Sequence, residues 1–322
     1  MNIHPANLSG HDAAWHEWRT AMASDRMHHG WILAGKRGLG KAAFALAAAR
    51  ELVAEPGVPQ PELHADVIVL ERQPQNDEEE KKRADGKPFQ LKRNISVDQV
   101  RRMQHRLFTR PTLGARRVII IDPADDMEKG AVNALLKSLE EPPSGTFFLL
   151  VAHSPGRLLA TIRSRCRMLR FPNLSDAEID TLLIREAPQA DAATRAAAIA
   201  AAEGSPGTAL GFVEHELGTL HALMLRLIAE GDEHFMLRGA LAGAIGLRPD
   251  RERQLATLDL ARAVLAADLA GAIPAKQARI IEAHAALAQL SASAPTANFD
   301  PGLLAMEIGG LLASAAMPRE AA

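Results

Sequence analysis

The sequence predicts a doubly wound α/β domain, a parallel sheet with helices on both faces, followed by an all-helical remainder. Three observations carry that expectation. Up to about Phe171-Pro172-Asn173, short apolar runs alternate with amphipathic stretches. The runs are nearly continuous in Val, Ile, Leu and Phe, as parallel strands buried on both faces are. Beyond that point Ala and Leu at helical spacing dominate and strand signals vanish.

The elements follow in order. Residues 31–34 read as a buried strand and residues 43–54 as a helix, with Gly35-x4-Gly40-Lys41 between them. That spacing is the phosphate-binding loop: glycines let backbone N–H groups close around phosphate oxygens, the helix N-terminus adds a positive dipole, and Lys41 adds a charge. Gly35, Gly38, Gly40 and Lys41 are therefore the candidate nucleotide cradle. The next residue should be Ser or Thr, whose hydroxyl holds Mg2+, and here it is Ala42. Residues 66–71, 117–122 and 146–152 read as three further strands. Ser96-Val97-Asp98-Gln99 has capping-box form, and Glu128 opens a helix that ends near Glu141-Pro142-Pro143. In such a sheet the ligand crevice lies beyond the strand C-termini, where Gly35 and Asp122 both fall. Asp122 closes its strand as a metal-directed aspartate does, but the following position, where a hydrolase carries a Glu base, is Pro123. The hydroxyl and the base are both missing, which argues against hydrolysis by this chain.

Between residues 91 and 117 the sequence carries Lys92, Arg93, Arg101, Arg102, Arg106, Arg110, Arg116 and Arg117 against one acid, Asp98. Arg102 and Arg106 are spaced i,i+4 along one helix face. Arg101, Arg102 and Arg106 are thus the DNA-facing candidates, tracking phosphates without reading bases, with a solvated helix face as the plainer alternative. A net charge of −2 makes any such contact local. Residues 71–89, rich in Glu, Lys and Gln, are expected to form a mobile surface insertion. Cys166 is alone, so no intrachain disulfide forms. No bilayer-length apolar run and no signal peptide is read, so a cytoplasmic protein with no membrane partner is expected. The histidines show no metal-ligand spacing on a helix, and His28 and His29 read as strand-edge residues.

Three stretches together resemble the clamp-loader AAA+ proteins of bacterial replication, close to the delta-prime kind. They are the degenerate loop at 35–42, the run Asn133-Ala134-Leu135-Leu136-Lys137-Ser138-Leu139-Glu140-Glu141-Pro142-Pro143, and the run ending Ile162-Arg163-Ser164-Arg165-Cys166. The similarity covers most of residues 27–172 and weakens afterwards. It implies an α/β P-loop AAA+ domain (1–172), a small helical lid (173–212) opened by the capping box Ser175-Asp176-Ala177-Glu178, and an all-α collar bundle (213–322) for oligomerisation. It further implies a non-hydrolysing subunit of a loader that places a ring-shaped clamp on primed DNA. Its partners would be motor subunits and a delta subunit, with clamp and DNA reached through the assembly. Arg165, from Ser-Arg-Cys, would complete a neighbour's ATP site in trans. No catalysis in cis is expected. No cofactor is required: ATP binding is doubtful, and the four-cysteine zinc module of the family has no cysteine here, Glu55-Pro56-Gly57-Val58-Pro59-Gln60-Pro61 standing in its place. The stretch Gly204-Ser205-Pro206-Gly207-Thr208-Ala209-Leu210 lacks the arginine that motor subunits place there. The alternative is an ATP-hydrolysing gamma/tau-like motor of the same fold.

Overall fold

The computed structural model describes residues 10–24, 27–58, 60–62, 64–87, 89–246, 249, 251–294 and 299–316. Pro59, in the stretch that stands where the family's zinc module would be, lies outside the described residues. The chain divides into two compact units, Met1–Asn173 and Leu174–Ala322.

The first unit runs α1 (Asp12–Met22), β1 (Gly30–Ala34), α2 (Lys41–Val53), β2 (Val67–Glu71), α3 (Asp77–Ala84), α4 (Val97–Leu107), β3 (Arg117–Asp122), α5 (Lys129–Glu140), β4 (Thr146–Ala152), α6 (Ala160–Arg163) and β5 (Arg167–Arg170). All five strands are parallel, in the order β2-β3-β4-β1-β5. Alternate residues sort to opposite faces, as strand geometry requires. Ile32, Ile68, Ile119, Ile121, Phe148 and Leu150 pack with Val100, Met103 and Leu107 of α4 and Leu135 and Leu139 of α5. On the other face Trp31 meets Trp18 of α1 edge-on at 5.4 Å, and Trp15 and Phe171 bracket Phe44 of α2 at 4.3 and 5.0 Å. The doubly wound parallel sheet expected from the sequence is present.

Two local differences from expectation have physical causes. The fifth strand, β5, carries Arg167 and Arg170 at its ends and buries only Leu169 fully, so it lacks the apolar run of a central strand. The insertion at 71–89 holds a short helix instead of being irregular throughout. Asn76 caps α3 by accepting from the Glu79 N–H, acids fill its first turn and bases its last, in accord with the helix dipole. The Glu79 carboxylate also accepts from the Gln90 N–H at 2.5 Å, closing the excursion. Both expected capping boxes, at Ser96 and Ser175, are formed.

The second unit runs α7 (Asp176–Glu186), α8 (Ala192–Ala202), α9 (Pro206–Glu214), α10 (Gly218–Glu230), α11 (Met236–Ile245), α12 (Arg251–Leu269), α13 (Pro274–Ser293) and α14 (Pro301–Ser314). Helices α7, α8 and α9 pack together, α12 packs along α13, and α8 also touches α10 and α12. Lid-sized and collar-sized sets of helices therefore share one compact unit.

Candidate functional site

The loop from Gly35 to Gly40 leaves β1 and enters α2, with Gly38 and Gly40 in the left-handed region (φ 80° and 75°). A side chain there would be strained, and Gly40 is also the N-cap of α2. The loop is tied down from within. The Gly35 N–H donates to Ala152 O at 3.2 Å, and His11 Nε2 lies 2.6 Å from Leu39 O. Lys41 is 2% exposed, and its Nζ donates to Gly35 O at 2.7 Å and Lys36 O at 2.5 Å. Burial lowers the Lys41 pKa to about 8, while Asp122 and Asp125 pull it upward. A Cβ on Gly35 would sit 2.5 Å from Phe171 O and 2.9 Å from Leu39 Cδ1. Gly35 and Lys41 thus both serve the internal packing and bonding of the loop, independently of any nucleotide.

Asp122 ends β3 on the same edge. Its pKa is raised, first by burial and then by Glu71, against the pull of Lys41 and Arg37. Asp126 is raised by burial too and pairs with Arg72 at 3.3 Å. Asp125 is a backbone tie: its carboxylate accepts from the N–H groups of His153 (2.6 Å) and Ser154 (3.0 Å), joining the turn after β3 to the turn after β4. Mg-ATP fits these residues poorly. Position 42 offers a methyl where a hydroxyl is needed, position 123 offers no base, and Asp125 is committed to backbone. Zinc fits no better, since the lone thiol, Cys166, is packed against the core and pushed up to about 12 by burial.

His153, at the end of β4, carries a pKa lowered to about 4, by burial first and then by Lys41. The folded chain keeps it neutral where an unfolded chain, at 6.5, takes up a proton. Between pH 6.5 and 4 the unfolded state binds more protons, so stability falls as pH falls through that window. Urea unfolding at pH 7.5 and pH 5 is expected to show this loss. In His153→Gln the contribution should disappear and the profile flatten.

Arg165 lies in the turn between α6 and β5. Its Nη2 is 2.8 Å from Glu140 Oε1, and its Nη1 donates to Thr161 O at 2.9 Å and to Ser164 Oγ at 3.4 Å. The neighbouring Arg163 plays a different part, with Nη1 bonded to the carbonyls of Gly156 and Leu158 at 3.2 and 2.8 Å, which shapes the approach to the turn. Glu140 sat within a motif quoted above, but nothing in the sequence joined it to Arg165, 25 positions on. The turn itself hangs on β1: His29 Nε2 lies 2.9 Å from Leu139 O, and a Cβ on Gly30 would be 3.1 Å from Arg165 O.

The basic stretch separates into two kinds of residue. Arg101, Arg102 and Arg106 stand on α4. Arg101 is 3.8 Å from Asp98, Arg102 reaches Gln73 at 3.5 Å, and Arg106 donates to Ala65 O at 3.1 Å. Arg102 and Arg106 line a pocket beside the edge strand β2 with Arg83, Gln73 and Gln99. Arg117 is no part of that stripe. It is 3% exposed, faces Asp66 at 3.4 Å, and donates to the carbonyls of Arg106, Thr109 and Arg110. None of the three α4 arginines lies with the cradle residues Gly35, Lys41 and Asp122 as a hydrogen-bonded set, whereas Lys41 and Asp122 do sense each other.

Residues 10–175 match the family described as DNA polymerase III, delta subunit. The chain is 41% identical over 122 residues to the DNA polymerase III subunit delta' of Pseudomonas aeruginosa, covering 38% of this chain and 37% of that one. It is 39% identical over 127 residues to the delta' subunit of Escherichia coli, covering 39% and 38%. The DNA polymerase III subunit gamma of Buchnera aphidicola from Acyrthosiphon pisum is 28% identical over 196 residues, covering 60% and 53%. A Thermotoga maritima structure described as a DNA polymerase III gamma subunit-related protein aligns at 18% identity and a TM-score of 0.49, over 93% of this chain and 98% of that one. The matches to the two delta' relatives thus span less than two fifths of their length. With just over half of its residues matched to the family, and with the degenerate loop and the Arg165 turn both inside the matched segment, the chain belongs to the DNA polymerase III delta-subunit family of clamp-loader proteins, on its delta-prime side.

Proposed function

We propose that this chain is the non-hydrolysing member of a clamp loader, working with gamma/tau-type motor subunits and a delta subunit to place a sliding clamp on primed DNA. In that assembly Arg165 completes the ATP site of a neighbouring subunit. The observation that supports this most is the contrast between two places in one domain. The cradle has lost its metal hydroxyl and its base and is internally bonded, whereas Arg165 is presented on a turn fixed to the sheet. A guanidinium stays charged at any working pH, and its fork matches the γ-phosphate oxygens on which charge develops. Arg101 and the rest of the α4 arginines are the residues proposed to meet DNA phosphates.

DNA- and clamp-stimulated ATPase of a reconstituted loader tests the reading. Arg165→Ala is expected to assemble normally and to lose part of the stimulated turnover, the share of the one site it completes. The isolated wild-type chain is expected to be silent. Turnover by the chain alone would establish the motor alternative, and an undiminished Arg165→Ala loader would remove the trans role.

A further inference from the structure

Glu140 is the final residue of α5, where the helix dipole disfavours a carboxylate. Glu141 follows it, and Pro142 and Pro143 stop the helix. Glu is a good helix former, but Glu140 is not the residue that caps this end of α5, which is Glu141. What Glu140 does contact is the guanidinium of Arg165, at 2.8 Å. Both residues lie close to the start of β1, and the Arg165 N–H donates to Ile162 O at 3.0 Å. His29 bonds the carbonyl of Leu139, one residue before Glu140, and Gly30 gives room for the Arg165 carbonyl and for Cys166 Sγ, 3.0 Å from where a Cβ would be. The backbone on each side of the pair is therefore fixed, and the side-chain contact sets the remaining freedom of the arginine.

We propose that Glu140 is a positioning residue for Arg165, holding the guanidinium pointed outward until a phosphate of the neighbouring subunit's nucleotide takes it over. The proposal rests on the trans-acting reading of Arg165 given above. The pair is 34% and 50% exposed at its two side chains, so water and salt screen it. Such a contact biases a rotamer but cannot lock it. A phosphate carries more charge than a carboxylate and engages the fork through two bonds, so it wins the exchange. Meanwhile Nη1 keeps its bond to Thr161 O, which leaves the arginine tethered during the transfer. Glu140 thereby lowers the rotamer search that Arg165 makes at each turnover, an effect on orientation and so on kcat.

The test uses the reconstituted loader with clamp and primed DNA, reading kcat and KM for ATP separately. Glu140→Ala is expected to lower the stimulated kcat by about half of the loss that Arg165→Ala causes and to move KM by less than about twofold. Glu140→Gln retains an acceptor oxygen and should recover most of the loss. An unaffected Glu140→Ala loader beside an impaired Arg165→Ala loader overturns the positioning role and leaves the trans reading standing. If Arg165→Ala is itself unimpaired, both fall. A second measurement serves should Glu140→Ala assemble poorly: the order parameter of the Arg165 Nε–H bond by NMR in the full-length chain. It is expected to drop in Glu140→Ala and to be restored in Glu140→Gln, and an unchanged value overturns the proposal.

Discussion

Asp66→Ala is expected to destabilise the chain by about 3–5 kcal/mol, the cost of breaking a buried ion pair from one side. Asp66 is 0% exposed and sits 3.4 Å from Arg117, itself 3% exposed. Its carboxylate also accepts from the Thr112 N–H at 2.7 Å and the Leu113 N–H at 2.7 Å, so it organises the loop that delivers the chain into β3. Removing it strands a guanidinium in the protein interior and frees two amides at once. Burial works to raise the Asp66 pKa, but the Leu113 and Thr112 N–H groups and the Arg117 charge outweigh it and hold the carboxyl below its usual 3.8. The sign then follows: the contribution is full above 3.8 and is lost as pH falls through the lowered folded value. Urea unfolding at pH 7 should show a lower midpoint at unchanged slope. The gap between wild type and Asp66→Ala should narrow in acid, and a gap independent of pH would mean that the carboxylate charge is not what the variant removes.

Gly35→Ala is expected to cost about 3 kcal/mol, at the upper end for overpacking by a single methyl. The methyl would lie 2.5 Å from the Phe171 carbonyl oxygen and 3.0 Å from Phe171 Cβ. Backbone does not yield as a flexible side chain does. Phe171 is itself held by its N–H bond to Ala34 O at 2.8 Å, so relief requires parting β1 from the segment after β5. Thermal unfolding of the chain without any nucleotide measures this. A loss of that size in nucleotide-free protein shows that Gly35 is kept for packing. A variant as stable as wild type shows instead that the loop has room to spare.

These two residues also show what a sequence reveals and what it hides. Gly35, Gly40 and Lys41 were legible because a strand-loop-helix phosphate motif is contiguous, its spacing set by local backbone geometry. The three central strands were legible because burial on both faces leaves an unbroken apolar run, and the edge strand β2 because most of its residues are apolar all the same. β5 escaped because an edge strand with arginines at its ends has no such run. Arg117 counts toward a basic stripe by charge alone, yet its partner, Asp66, lies 51 positions away, and only the β2–β3 register brings them together. The pairing of Glu140 with Arg165 was hidden for the same reason: both ends of the pair depend on where β1 passes. The missing hydroxyl at Ala42 and the missing base at Pro123 could be read directly, because each is a matter of which functional group a position carries.

The bond from Asp125 to the turn after β4 bears on how such a chain can change. From His153 and Ser154 the backbone runs through residues 155–163 straight to Arg165. Asp125 is thereby part of the footing of the segment that carries the arginine. A change at Asp125 is therefore felt along that segment as well as at the end of β3.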